Sequence, residues 1–277
     1  MEKIITCQFM GGLGNQMFQA AHVYSQSLKH NRPAVFFNES QTNLQGNNVN
    51  TYVQNIFSKL NFVNKINDLN FVYSNDWHYN EINPLESNTI FHGYFQSSKN
   101  FLGFDNEIID LFSPNDDFLS KIYDKYPQLN NNNTVSIHVR RGDYLSFPNV
   151  HPVVSTSYVD KCLSMIENKD YIFCFSDDKE WVKNNIKHEN IIYVDGLLDY
   201  EELWLMSLCK NNIISNSTFS WWGAFLNKNN NKQVFAPSIW FASDGPNNFS
   251  DIFEEGFPSF KFINTMETPI TFYLVKK

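Results

Sequence analysis

The chain has 277 residues, of which 42% are hydrophobic, and a formal net charge of −8, which is length and apolar content enough for a sizeable core in one large domain or two small ones. The negative balance argues against a nucleic-acid partner, so any anionic ligand has to be held by a local cluster of cations. Cys7, Cys162, Cys174 and Cys209 are scattered, with no pair at metal-ligand spacing, and read as buried thiols of a reducing compartment rather than as a disulfide framework.

A strand over residues 4–10 runs into the glycine turn Gly11-Gly12-Leu13-Gly14. That apolar run is too short for a signal peptide or a membrane span. The expectation is a soluble, cytoplasmic protein with no integral membrane segment, peripheral association with a membrane staying open. A helix over 15–30 carries Met17, Phe18, Ala21 and Leu28 on one face, and a short strand over 34–37 completes a strand-turn-helix-strand unit. Residues 38–89, rich in asparagine and aromatics, read as loops and short helices. Residues 91–96 are expected to end a strand and open a helix reaching Phe112.

Four consecutive asparagines, Asn130 to Asn133, follow Pro127 closely and offer a domain boundary, giving lobes 1–130 and 131–277 with the last residues packing back on the first lobe. Beyond them the pattern turns regular. Strands over 134–139, 171–175, 191–194, 212–215 and 233–236 alternate with helices over 156–168, 178–186, 199–210 and 218–227, which predicts an α/β, parallel, doubly wound sheet.

Ligands of such sheets sit beyond the carboxyl ends of the strands, and three of these ends are polar: His138-Val139-Arg140-Arg141-Gly142-Asp143-Tyr144, Ser176-Asp177-Asp178 and Asn216-Ser217-Thr218-Phe219-Ser220. Arginine forks match phosphate oxygens two at a time and the glycine lets the backbone turn sharply, so the first segment suits a diphosphate. Alone it is equally well a surface turn, but three polar clusters on one edge favour a site. The last precedes a helix whose unpaired amides can cradle an anion, although a plain Ser/Thr N-cap is the commoner use of such residues.

Gly12-Leu13-Gly14-Asn15-Gln16-Met17 has the look of a dinucleotide fingerprint, but Met17 stands where a third glycine is needed for helix and strand to approach. An NAD-dependent oxidoreductase is therefore a weak reading. There is no Asp-x-Asp triplet to hold a divalent metal on a nucleotide sugar, and no Walker loop, zinc spacing or nucleophile elbow.

Gly11-Gly12-Leu13-Gly14-Asn15-Gln16-Met17-Phe18-Gln19, Gly93-Tyr94-Phe95-Gln96-Ser97, His138-Val139-Arg140-Arg141-Gly142-Asp143-Tyr144, Leu205-Met206-Ser207-Leu208-Cys209 and Ser215-Asn216-Ser217-Thr218-Phe219-Ser220-Trp221-Trp222-Gly223 together resemble the signature segments of bacterial-type α-1,2-fucosyltransferases, glycosyltransferase family 11. The resemblance covers most of the chain in the right order, residues 38–89 excepted. It implies two Rossmann-like lobes of the B-type glycosyltransferase architecture and an inverting, metal-independent transfer from GDP-fucose, with no further cofactor, to O2 of a terminal β-galactose on an oligosaccharide. It further implies that Arg140 binds the β-phosphate, His138 lies along the nucleotide, Ser217, Thr218 and Phe219 cradle the diphosphate, and Glu202 accepts the guanine N1 and N2 protons. Asp199 and Glu201 are the local competitors of Glu202. Asn15 is implied to face the fucose and phosphate, and Gly12, Gly14, Arg141, Asp178 and Asn216 complete the donor-binding set. The catalytic set is Arg140, Asn15 and Asp143, the last being either the base or a structural partner of Arg141. A non-catalytic sugar- or nucleotide-binding module and a fucosyltransferase of another linkage are the alternatives.

Overall fold

A computed structural model describes residues 2–37, 46–74, 78–246 and 260–263. The chain forms two compact units that divide between Ser113 and Pro114.

The amino-terminal unit contains β1 (Ile5–Cys7), α1 (Leu13–His30), β2 (Phe36–Phe37), β3 (Phe62–Val63), β4 (Asn70–Tyr73), β5 (Thr89–His92) and α2 (Asp105–Phe112). Among the described strands the pairings are parallel: β5 lies between β1 and β4, β2 pairs with β3, and a parallel bridge joins Ile5 of β1 to Ala34. Phe9 fills the space between them, with its ring 5.8 Å from Phe36 and 5.9 Å from Phe57. α1 begins at Leu13, two residues earlier than expected, because Gly12 supplies an extended N-cap. Gly11 has φ +72°, and a Cβ there would fall 2.4 Å from the Asn15 side-chain nitrogen, so this turn requires glycine. Met17, Phe18 and Ala21 are buried as the periodicity predicts, but Leu28, in the last turn of the helix, is 40% exposed.

Two expectations fail in this unit. Strands β3 and β4 occupy the stretch read as loops and short helices, and the helix expected to run on to Phe112 is a 3₁₀ turn, Ser98–Phe101, followed by the separate α2. The break has a physical cause in Gly103, with φ +87°, a conformation no continuing helix can hold.

The carboxyl-terminal unit contains α3 (Asp116–Lys125), β6 (Thr134–Val139), α4 (Thr156–Ser164), β7 (Tyr171–Ser176), α5 (Lys179–Asn185), β8 (Ile191–Tyr193), α6 (Asp199–Leu208), β9 (Asn211–Ile213), α7 (Thr218–Phe225), β10 (Val234–Pro237) and β11 (Phe260–Ile263). Its six strands, all parallel, lie in the order β11-β10-β9-β6-β7-β8. All six residues of β6 are buried, as a strand covered by helices on both faces demands. Val135, Ile137 and Val139 pack with Tyr158, Val159 and Cys162 of α4 in one apolar cluster.

The boundary corrects the lobes expected at residue 130. Phe118 of α3 lies 5.0 Å from the Trp204 ring and Tyr126 meets Phe173 edge-on at 5.7 Å, so the segment before the asparagines belongs to the second unit. That run closes a 3₁₀ turn, Pro127–Asn130, rather than a linker. The expected return of the final residues to the first lobe lies outside the described residues. All four cysteines are free and buried, and among the described residues no helix is long and apolar enough to cross a membrane.

Candidate donor site at the carboxyl ends of the sheet

The sheet order makes the three polar strand ends neighbours, because β6 pairs with β7 through Val139 and Ser176 and with β9 through Ile137 and Ile213. His138, buried in β6, has Nδ1 2.9 Å from Ser215 Oγ and its ring 5.5 Å from Phe219. Burial, and then the Arg140 charge, lower its pKa to about 3, so the imidazole is neutral.

Arg140 leaves the strand and is tethered on two sides. Its Nη2 donates to Asp143 Oδ1 at 2.7 Å, its Nη1 lies 3.1 Å from Asp177 Oδ2, and the guanidinium sits 5.5 Å from the Tyr144 ring centre. The side chain stays 34% exposed. Arg141 behaves differently: its Nε donates to Asp178 at 3.1 Å and its guanidinium packs 3.8 Å over Trp181. Asp143 is thus the partner of Arg140, which corrects the expected pairing with Arg141. Asp178 accepts from Arg141 on one oxygen and from the Trp181 amide, at 3.1 Å, on the other. Arg141 and Asp178 therefore brace the loop and the start of α5.

Asp177 also accepts the Arg141 backbone N–H at 2.9 Å. A Cβ at Gly142 would stand 2.5 Å from its second oxygen, and that carboxylate cannot retreat without giving up its hold on Arg140, so only glycine fits. The Tyr144 hydroxyl donates to the Asn216 carbonyl at 3.0 Å, tying the end of β6 to the end of β9, and its burial pushes the phenol up to about 12. Asn216 in turn donates to the Trp240 carbonyl at 3.0 Å, while its own Oδ1 is buried without a partner. Ser217 is the N-cap of α7 but forms no side-chain capping bond; its side chain is hydrogen-bonded to Tyr144, and Thr218 and Phe219 open the helix, whose first amides have no intrahelical acceptor.

Glu202 lies in the first turn of α6, with its side chain 14% exposed and Oε1 3.4 Å from Lys179 Nζ, which is also paired with Asp195 at 2.7 Å. Burial outweighs the pull of Lys179 and raises the Glu202 carboxyl to about 7. Of its competitors, Glu201 accepts the Leu198 N–H at 2.8 Å and Asp199 the Tyr200 N–H at 2.8 Å, so both serve the start of the helix. Among the described residues no three His, Cys, Asp or Glu side chains converge as metal ligands.

Gly12, Gly14 and Asn15 lie in the amino-terminal unit. Gln16 donates to the carbonyls of Gly11 and Asn47 at 2.9 and 3.1 Å, and Gln19 makes paired bonds to the Met10 backbone. With Met17 fully buried, the turn is stapled by side chains and lacks the close helix-strand approach of a dinucleotide fold. Asn15 Oδ1 accepts from Gln96 Nε2 at 2.9 Å. Gln96 belongs to a cavity of about 220 Å³ to which the sequence reading gave no role, although Gly93-Tyr94-Phe95-Gln96-Ser97 was the available signal.

The family model for glycosyl transferase family 11 matches residues 1–256. An O-antigen biosynthesis glycosyltransferase, WbnK, of Escherichia coli is 38% identical over 165 residues, 54% of this chain and 55% of the relative; this match spans about half of that relative's length. An α-1,2-colitosyltransferase of Escherichia coli is 31% identical over 89% of this chain and 95% of its own. A galactoside 2-α-L-fucosyltransferase of Caenorhabditis elegans is 26% identical over 82% of this chain and 70% of its own. Among solved structures, the fucosyltransferase NodZ from Bradyrhizobium superposes with a TM-score of 0.53 at 13% identity, covering 90% of this chain and 97% of that one, a likeness of fold.

Proposed function

Because the chain belongs to glycosyl transferase family 11, we propose that it transfers L-fucose from GDP-fucose to O2 of a terminal β-galactose, with inversion and without a metal ion. The observation that carries this reading is Arg140, held at the end of the central strand by Asp143 and Asp177. As the anomeric bond breaks, its electron pair leaves with the β-phosphate, and a preorganised guanidinium stabilises that growing charge more than the ground state. The amides and hydroxyls at the start of α7 take the remaining phosphate oxygens. Neutral His138 lies along the nucleotide without adding charge, Glu202 accepts the guanine N–H pair, and Asn15 contacts the donor sugar. The acceptor O2 attacks the face opposite the leaving group and releases its hydroxyl proton to solvent or a carboxylate once attack is under way, so a β-linked donor gives an α-fucoside and GDP. Asp177 and Asp178, the adjacent carboxylates at the end of β7, are engaged by arginines, which supports metal independence.

The 1,2 linkage rests on the colitosyltransferase and the galactoside 2-α-L-fucosyltransferase. The first of these also favours a second donor, GDP-colitose, in which fucose lacks its 3-hydroxyl. Incubation of dialysed protein with either donor and lactose, with EDTA present, followed by linkage analysis, tests the reading. An α-1,2-fucosyl product is expected. A product of another linkage, or binding of GDP without any transfer, would replace it by one of the two alternatives.

A further inference from the structure

We propose that Lys179 donates to the O6 atom of guanine and so completes, beside Glu202, a three-point edge that selects the base of the donor; the proposal rests on the reading of Glu202 as the carboxylate that accepts the guanine N1 and N2 protons. Guanine presents three groups in a row, the acceptor O6, the donor N1–H and a donor on N2. The complement is one donor followed by two acceptors. Lys179 Nζ, Glu202 Oε1 and Glu202 Oε2 supply that order, because Nζ lies 3.4 Å from Oε1, an ammonium only donates and an ionised carboxylate only accepts.

Two observations point to a ligand on this pair. The Glu202 side chain is 14% exposed, yet among the described residues the contact with Lys179 is its one side-chain hydrogen bond, longer than a well-made N–H···O bond. A carboxylate so far from water is left short of donors, and the N1 and N2 protons of a base supply them. The ammonium, for its part, is anchored elsewhere, on Asp195 Oδ1 at 2.7 Å. Asp195 is itself fixed: its Oδ1 accepts the Gly196 N–H at 2.9 Å and its carbonyl accepts from Lys125 Nζ at 3.3 Å. With one N–H on Asp195 and one leaning on Glu202, the ammonium keeps a third for O6.

The chain ties this edge to the phosphate end. Asp177, Asp178 and Lys179 are consecutive and engage Arg140, Arg141 and Glu202 in turn, so the start of α5 sets the spacing between the two halves of a nucleotide. The pair also works against other bases. Uracil would set a carbonyl oxygen against the second carboxylate oxygen, and adenine would set its amino group against the ammonium.

Calorimetry tests this with four probes: GDP, 6-thio-GDP, in which a poor acceptor replaces O6, IDP, which lacks the 2-amino group, and UDP. The wild type is expected to bind 6-thio-GDP about tenfold more weakly than GDP. Lys179→Met should bind the two within about twofold of each other, with UDP affinity as in the wild type, which also shows that the variant is folded. A lysine that only supports the structure would weaken GDP and 6-thio-GDP alike and leave their ratio intact. That result overturns the proposal, as does a wild type that binds the two equally, or a loss of UDP affinity in the variant equal to its loss of GDP affinity. In each of these cases a wild-type preference for GDP over both IDP and UDP leaves the Glu202 reading standing. If the wild type binds GDP no better than IDP and UDP, that reading falls and the proposal with it.

Discussion

The two sheet edges of this molecule are built alike and furnished oppositely. Each lies at the carboxyl ends of parallel strands, on a turn that only glycine, as at Gly142, or a strained backbone, as at Phe95 with φ +52°, can make. At the ends of β6 and β7 five charged side chains interlock, with Arg140 between Asp143 and Asp177 and Arg141 on Asp178. At the ends of β4 and β5 the described lining is amide, hydroxyl, imidazole and aromatic ring, with the Met10 thioether and Gly93. The fold decides where a ligand can be presented and the side chains decide what is presented to it: in a chain of net charge −8, two arginines stand at one strand end, each held by aspartates.

The largest expected effect breaks the charged edge alone. Arg140→Lys should cut kcat/KM about 10²–10³-fold, because an ammonium cannot reproduce the fork, while galactoside binding and the circular dichroism spectrum stay as in the wild type. Near-normal turnover would remove the diphosphate role. Next is Glu202, whose substitution by alanine should erode the preference for GDP over UDP by about 10–100-fold. Its carboxyl is raised to about 7 and only the ionised form accepts the guanine protons. GDP affinity should therefore fall about tenfold per unit as pH drops below that value and level off above it. Facing it are Lys179, Asp195, Asp199 and Tyr126, of which Lys179 alone is cationic, so Lys179→Met should move the midpoint upward. UDP, whose terminal phosphate titrates alike, is the control, and a UDP curve of the same shape would deny Glu202 its role.

Asp143→Asn should lower kcat/KM only about fivefold, together with GDP affinity, since a carboxylate 58% exposed works here as a tether of Arg140. A loss of 10²–10⁴ in kcat with GDP affinity unchanged would instead make Asp143 the base. The smallest effect tests the charged edge by salt. Raising sodium chloride from about 0.05 to about 0.5 M should weaken GDP about two- to threefold; an affinity indifferent to salt would mean that the arginines do not hold the diphosphate.

What the sequence disclosed follows how deeply each element is buried. β6 matched the expected residues 134–139 and β7 fell within a residue of prediction, because strands covered on both faces read as unbroken apolar runs; β8, a half-buried edge strand, was found to within a residue by its apolar Ile191-Ile192-Tyr193 run. β4 escaped: Asn70, Phe71 and Tyr73 are exposed and only Val72 is half-buried, so an edge strand of four residues shows no alternation to read. The charged edge was legible because three polar strand ends fall on the same edge of the expected parallel sheet, not from the arginines and glycine alone. The partner choice was not: whether Asp143 meets Arg140 or Arg141 depends on where Asp177 and Asp178 stand, some 35 residues on.

The strand order also sets a timetable for synthesis. The described strands of the amino-terminal unit are complete once His92 has been made, and that sheet can close early. β6, by contrast, is central, and its second neighbour β9 begins at Asn211, about seventy residues after β6 ends. At roughly 5–20 residues per second on the ribosome, one unpaired edge of β6 waits about 4–14 seconds for its partner. That interval is the window in which a nascent chain of this protein is most open to chaperone capture or to pairing with a neighbour on the same message.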